Sequence, residues 1–311
     1  MKFPAFLKLS GATFSLFAAA PLLAEEAPAP VVSLQAATPA VAATGPAMWK
    51  VADEDTTIYL FGTVHILPKE IEWLDATITD ALARSDMIVT ELKMDPGSEA
   101  ELQQLTMTKG MLPPGTRLRS LLTPEQTATY EAAFATLGLP PMVAEQFDSF
   151  KPWFAGLNLS MLPLLMSGYT PDQGVEKVLL AKAGNKPQGA LETAEFQLGL
   201  FDSLPQDAQI AFLIEAAEGV GKAPAMLDRM VAEWVKGNPD TLAALMNEGM
   251  NDPALTEALL HSRNANWADW IAQRMAQPGT VFIAVGAGHL AGEKSVQDML
   301  AAKGIAVSRV K

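Results

Sequence analysis

The chain has 311 residues, 35 of them acidic and 22 basic, for a formal charge of −13 at pH 7, and it contains no cysteine. So acidic a chain is repelled by nucleic acid and by anionic membrane surfaces, which removes both from the expected partners. Without cysteine there is neither a disulfide nor a thiol for lipid attachment, so the fold does not depend on redox state. Residues 1–24 read as a secretory signal: Lys2 and Lys8 supply the positive end, Leu9–Leu23 is mostly apolar and small, and Ala24 precedes Glu25-Glu26 at a plausible cut. The apolar run is short and broken by Pro21, which argues against a retained membrane span. Removing Lys2 and Lys8 leaves 20 basic residues against 35 acidic, the charge of a soluble periplasmic or secreted protein.

Residues 25–47 are rich in Ala, Pro and Val without periodicity and are expected to be a flexible linker. A single α/β domain is expected over 48–311, long enough to bury a large core. Ile58-Tyr-Leu-Phe61 is a short apolar run bounded by Gly62 and reads as a strand. Gly62-Thr-Val-His65 follows it. Ile71, Leu74, Ile78 and Leu82 recur at helical spacing, and Met87–Leu92 is a second strand ending at Glu91. Strand, helix and strand in this order are expected to pair in parallel.

Helices dominate the insertion, about 98–279. Thr123-Pro-Glu-Gln126 carries an N-cap, a first-turn proline and a third-position glutamine, opening a helix that stops at Gly138. Asn238-Pro239 and Asp252-Pro253 are further starts, the second opening a long helix Ala254–Met275. Trp153–Met166 reads as a buried helix, with Met161 and Met166 filling gaps in the core. Asn185–Glu192 gives a weaker strand signal ending at Glu192. Thr280–Val285 is a strand followed by Gly286-Ala-Gly288-His289, then a short helix Val296–Ala302 and a last strand Ile305–Val310. The expected architecture is therefore a mixed sheet built from N- and C-terminal strand–GxxH–helix–strand units around a large helical insertion.

Two of the three histidines stand in matched settings, each after a strand and a Gly-x-x. The carboxyl ends of strands are where open α/β sheets bind ligands. Two imidazoles and a carboxylate there suit a divalent ion such as Zn, Mn or Co, so His65, His289 and Glu91 are candidate metal ligands. A bound ion brings the pKa of its water toward ~7, and Glu192 could act as general base or fourth ligand, the two glutamates being interchangeable. Gly62, Gly286 and Gly288 would let substrate or ion approach the backbone. Arg263, one turn before Trp267, is either a surface ion pair, which spacing alone favours, or a group that binds substrate or steadies an oxyanion. His261 has no matching context and reads as an ordinary helix residue. Gly286-Ala-Gly288-His-Leu-Ala291 superficially fits a dinucleotide fingerprint, but 20 residues after Ala291 are too few for the second strand.

Tyr59–His65, Val89-Thr-Glu91, Lys151-Pro-Trp153, Leu191-Glu192-Thr193, Arg263-Asn264 with Trp267, and Val285–Leu290 together resemble the TraB/GumN (TraB/PrgY/GumN) family, over about Met48–Lys311. The family is similar in its paired GxxH motifs to the Tiki metalloproteases and groups with erythromycin-esterase-like and ChaN-like proteins. The resemblance implies an α/β core with a helical insertion and, by the Tiki branch, a metal-dependent peptidase. It places His65, Glu91, Glu192, Arg263, Asn264 and His289 in the site. Two positions depart from the family pattern. Glu176 stands where Gly-Val/Ile is commonly followed by Asp, and Ser262 stands where an acid often precedes Arg-Asn. The leading expectation is an exported metal-dependent hydrolase acting on a peptide or small molecule. The rivals are a metal-free esterase with a histidine base, and a non-catalytic peptide- or haem-binding protein. Oligomeric state is left open by the sequence.

Overall fold

The computed structural model describes residues 45–248 and 256–311, so the signal, most of the linker and the Asp252-Pro253 helix start lie outside the described residues. Six strands form one mixed sheet: β1 (Met48–Ala52), β2 (Thr56–Thr63), β3 (Met87–Thr90), β4 (Gln188–Ala190), β5 (Gly279–Gly286) and β6 (Ser308–Arg309), in the order β4-β3-β5-β2-β1-β6. β4, β3, β5 and β2 run parallel, and β1 closes the sheet antiparallel between β2 and β6. The ends of the chain do meet: β2 pairs with β5 along its whole length, from Thr56 opposite Gly279 to Thr63 opposite Gly286. One sequence expectation fails here. β2 and β3 are parallel but are not neighbours, because β5 lies between them. No local signal in the sequence reports an insertion from more than 180 residues away.

Residues of β5 alternate between two buried faces, as a parallel strand covered on both sides must. Phe282 and Ala284 join a core with α1 (Ala76–Arg84), α6 (Val175–Ala183), α9 (Ala223–Val235) and α10 (Pro239–Asn247). Val281, Ile283 and Val285 face α11 (Ser262–Arg274) and α12 (Val296–Ala302), where Trp267, Ile271, Val296 and Leu300 pack. The remaining helices are α2 (Pro96–Gly110), α3 (Pro124–Thr136), α4 (Pro141–Phe147), α5 (Pro152–Met166), α7 (Ala194–Asp202) and α8 (Gln206–Gly219). They build two satellite cores around Tyr130–Phe134 and around Trp153.

The local expectations hold where capping chemistry was explicit. Thr123 and Gln126 form a reciprocal capping box, and the chain leaves α3 through Gly138 at φ +67°, a left-handed turn that suits glycine. The first helix is shorter than its apolar spacing suggested: Ile78 and Leu82 are on α1, whereas Ile71 and Leu74 precede Asp75, which caps it. The last strand shrinks to Ser308–Arg309, and the long helix resolves into a π-turn, Glu257–His261, followed by α11. α5 is the buried helix expected, but Met166 is 56% exposed at its end rather than filling the core. Among the described residues no helix is long and apolar enough to cross a membrane.

Candidate active site

The four parallel strands deliver chemistry to one edge in strand order. Just past their carboxyl ends stand Glu192 after β4, Glu91 after β3, the Gly286–His289 turn after β5, and His65 after β2. Since strands are ~4.8 Å apart, the backbones that carry His65 and Glu91 are separated by two spacings, roughly 10 Å. His65 and His289 line the same cavity.

Arg263 organises the Glu192–Glu91–His289 half. It is buried, not a surface ion pair, because α11 turns Arg263, Asn264, Trp267, Ala268 and Ile271 inward on one face. All five of its N–H groups are engaged. Nε donates to Glu192 Oε1 at 2.8 Å, and one terminal nitrogen donates to Glu91 Oε2 at 2.6 Å and Glu192 Oε2 at 2.9 Å. The other donates to the Leu259 carbonyl at 3.0 Å and to His289 Nε2 at 3.1 Å. With no donor left, Arg263 positions other groups; it has no free hydrogen to offer a substrate or an oxyanion.

The two glutamates are held from several sides. Gln197 donates to both, at 3.1 Å to Glu91 and 2.9 Å to Glu192, the Gly286 amide donates to Glu91 Oε1 at 2.7 Å, and Trp267 Nε1 donates to Glu192 Oε1 at 2.8 Å. Burial alone would push the Glu91 carboxyl upward, but the Arg263 charge, with the Gly286 amide, holds it well below the usual carboxylate range. Sequence reasoning missed Gln197. The available signal was local: Thr193 caps α7 by accepting from the Phe196 amide, which sets Gln197 one turn in, facing back to Glu192.

His289 is fixed in one tautomer. Asn264 Nδ2 donates to the Lys294 carbonyl at 2.8 Å, so its Oδ1 must accept from His289 Nδ1 at 2.6 Å, leaving Nε2 as the acceptor that meets Arg263. Burial and then the Arg263 charge push its pKa down to about 3, so the ring is neutral. The ring also packs on Trp267, with centroids 4.2 Å apart.

His65 occupies the opposite electrostatic setting. Its Nδ1 lies 2.5 Å from Glu176 Oε1, off the axis of a straight hydrogen bond, and the same oxygen accepts from Thr63 Oγ1 at 2.5 Å. Burial lowers the imidazole, yet the Glu176 carboxyl overcomes it and raises its pKa. Nε2 of His65 is buried and has no hydrogen-bond partner among the described residues. Glu176, the departure from the family pattern, is therefore a site residue, and it is 3% exposed. Gly174 makes the approach possible, since a Cβ there would run into the His65 carbonyl.

Gly286 and Gly288 line the cavity, whereas Gly62 lies behind it, closed against Ala287 and accepting a hydrogen bond from Trp234 Nε1 at 2.8 Å. His261 stands outside, paired with Glu257 at 3.2 Å.

The match that decides the ancestry covers residues 47–309, the whole described fold: the TraB/PrgY/gumN family. The chain belongs to the TraB/PrgY/gumN family. Among relatives, the "Uncharacterized protein YbaP" of Escherichia coli (strain K12) is 25% identical over 244 residues, 78% of this chain and 87% of the relative. The "Uncharacterized protein YbaP" of Shigella flexneri is similar to the same extent. An "Uncharacterized protein" of Treponema pallidum (strain Nichols) is 22% identical over 268 residues, 81% of this chain and 79% of the relative. No solved structure matches the chain.

Against this TraB/PrgY/gumN site the expected divalent ion can be tested by its donors. Among the described residues no three His, Cys, Asp or Glu side chains are gathered so as to hold a metal ion. Glu91 Oε2 already accepts from Arg263 and Gln197, Glu91 Oε1 accepts from Gly286, and His289 Nε2 accepts from the guanidinium. A dication there would share its Glu91 and His289 ligands with a permanent cation. In this arrangement the set His65, Glu91, His289 does not fit an ion.

Proposed function

We propose that the protein is an exported, metal-independent hydrolase of carboxylic esters or amides in which His65 activates water. The observation that carries this reading is the His65–Glu176 pair: Nδ1 lies 2.5 Å from a buried carboxyl oxygen, Nε2 has no hydrogen-bond partner among the described residues, and His65 is one of the residues that line the cavity. An imidazole beside a buried carboxyl is the pairing that general-base catalysis uses. Export is the part of the reading supported by residues 1–24.

The step balances as follows. Water oxygen attacks the substrate carbonyl carbon while one water proton passes to His65 Nε2. The tetrahedral intermediate then collapses, and the departing alcohol or amine takes that proton from the imidazolium. The products are a carboxylic acid and an alcohol or amine. Glu176 steadies the imidazolium between these transfers. The Arg263 network acts as the fixed floor of the pocket, holding Glu91, Glu192 and His289 in place.

The test uses a p-nitrophenyl ester as reporter. Parent protein stripped with chelator should keep its activity, and His65→Ala should lose about 10²–10⁴-fold in kcat, the range of a general base. A His65→Ala variant that hydrolyses as fast as the parent overturns the assignment, and loss of activity on chelation with recovery on added Zn or Mn overturns the metal-free mechanism.

A further inference from the structure

The cavity over the sheet edge changes in character from floor to wall. The floor is polar: Thr63, His65, Gln197, Arg263 and His289. The walls come from helices of the insertion and are apolar, with Leu102, Phe201, Leu227, Met230, Leu242 and Leu260 as typical members. His65, Arg263 and His289 are the only ionisable side chains in the described lining, and each charge is already matched within the fold. Arg263 has spent all its donors and faces two carboxyls. A charged ligand group would lose its water in the cavity and gain no counter-charge, which is costly.

We infer that the cavity takes the uncharged, apolar acyl chain of a medium-chain ester, with the ester carbonyl at His65 and the chain along the leucine-rich walls. For turnover this rests on the hydrolase reading above; for binding it does not. The same lining also favours release of the product, since the acid formed becomes an anion in a cavity that offers it no unmatched counter-charge.

The experiment has two arms. In the first, the parent protein hydrolyses p-nitrophenyl acetate, butyrate, hexanoate and octanoate, and kcat/KM is expected to climb by up to about fourfold per added CH₂ as each is buried. In the second, His65→Ala is titrated calorimetrically with octanamide, acetamide and octanoate at pH 8; octanamide should bind at least tenfold tighter than either of the others. Leu102→Asp and Leu260→Asp, both at half-buried wall positions, should each flatten the chain-length preference. Octanamide binding without ester turnover by the parent sinks the hydrolase reading and keeps the apolar ligand. Turnover that is indifferent to chain length, with octanoate binding as tightly as octanamide, sinks the acyl assignment and keeps the hydrolase. The ester series on the unaltered protein and the His65→Ala titration decide the matter even if an aspartate variant fails to fold.

Discussion

His65 and His289 share a motif and a cavity, yet their neighbours make them opposites. A carboxyl beside His65 raises its pKa, while burial and a guanidinium bring His289 to about 3. Of the two, only His65 keeps Nε2 free of a partner among the described residues, because Arg263 occupies Nε2 of His289. Glu176→Gln should remove the charge that favours the imidazolium. A base works in its neutral form, so the acid limb of the kcat/KM profile should move to lower pH while the rate falls about tenfold or more as orientation loosens. A Glu176→Gln profile superimposable on the parent's would show that the pair is only structural. At this scale the sequence was partly legible. The repeated GxxH pointed to both histidines, but Glu176 sits at the second residue of a helix far along the chain, and nothing in its spacing names His65 as its partner.

Among the elements, α11 contributes most to the site, through one buried face. Arg263 spans Glu192, Glu91 and His289 past three strand ends, Asn264 adds a second contact to His289, and Trp267 adds one to Glu192. Deleting one partner of a buried charge network leaves the others unpaired, so Arg263→Ala should cost roughly 3–5 kcal/mol in urea unfolding. Arg263→Lys should recover little of it, since one ammonium cannot replace a planar fork with five donors. A shift below ~1 kcal/mol would mean that Glu91 and Glu192 are supported without it. Spacing had placed Arg263 and Trp267 on one face correctly and had misjudged which way that face turns. An arginine between aromatic residues serves equally well on a surface, and only packing against β5 settles the direction.

For the molecule as a whole, the site ties stability to pH. His289 has a depressed pKa when folded, so the unfolded chain binds more protons below about 6.5, and its contribution is lost as pH falls toward about 3. Glu91 acts in the same direction: its contribution is present above the usual carboxylate range and is lost on acidification. His65 has the opposite sign, stabilising below about 6.5 and losing that contribution as pH rises through its raised value. Between about pH 6.5 and pH 4 the His289 contribution is the one being lost, since that of Glu91 begins to go only from the usual carboxylate range downward and that of His65 changes above 6.5. The urea midpoint is therefore predicted to fall between pH 7 and pH 4, and to fall less in a His289→Gln variant. An unchanged midpoint over that interval would contradict the buried neutral ring.

The α/β class and the helical insertion were legible from alternating apolar runs and capped helix starts. The repeated strand–GxxH unit also pointed to the two ends of the chain as partners, as β2 and β5 are; what it did not show is that β5 enters between β2 and β3, which leaves no mark on local periodicity.

The late arrival of β5 has a consequence for when the protein can work. Until Gly279–Gly286 has been made, β2 and β3 have no common neighbour, and neither Gly286 nor His289 exists to complete the floor. Synthesis must pass His289 before the floor of the cavity can close, so a chain that stops short of β5 lacks both the central strand and that floor. A product truncated after Gln277 should be degraded by protease within minutes under conditions that leave the full chain intact.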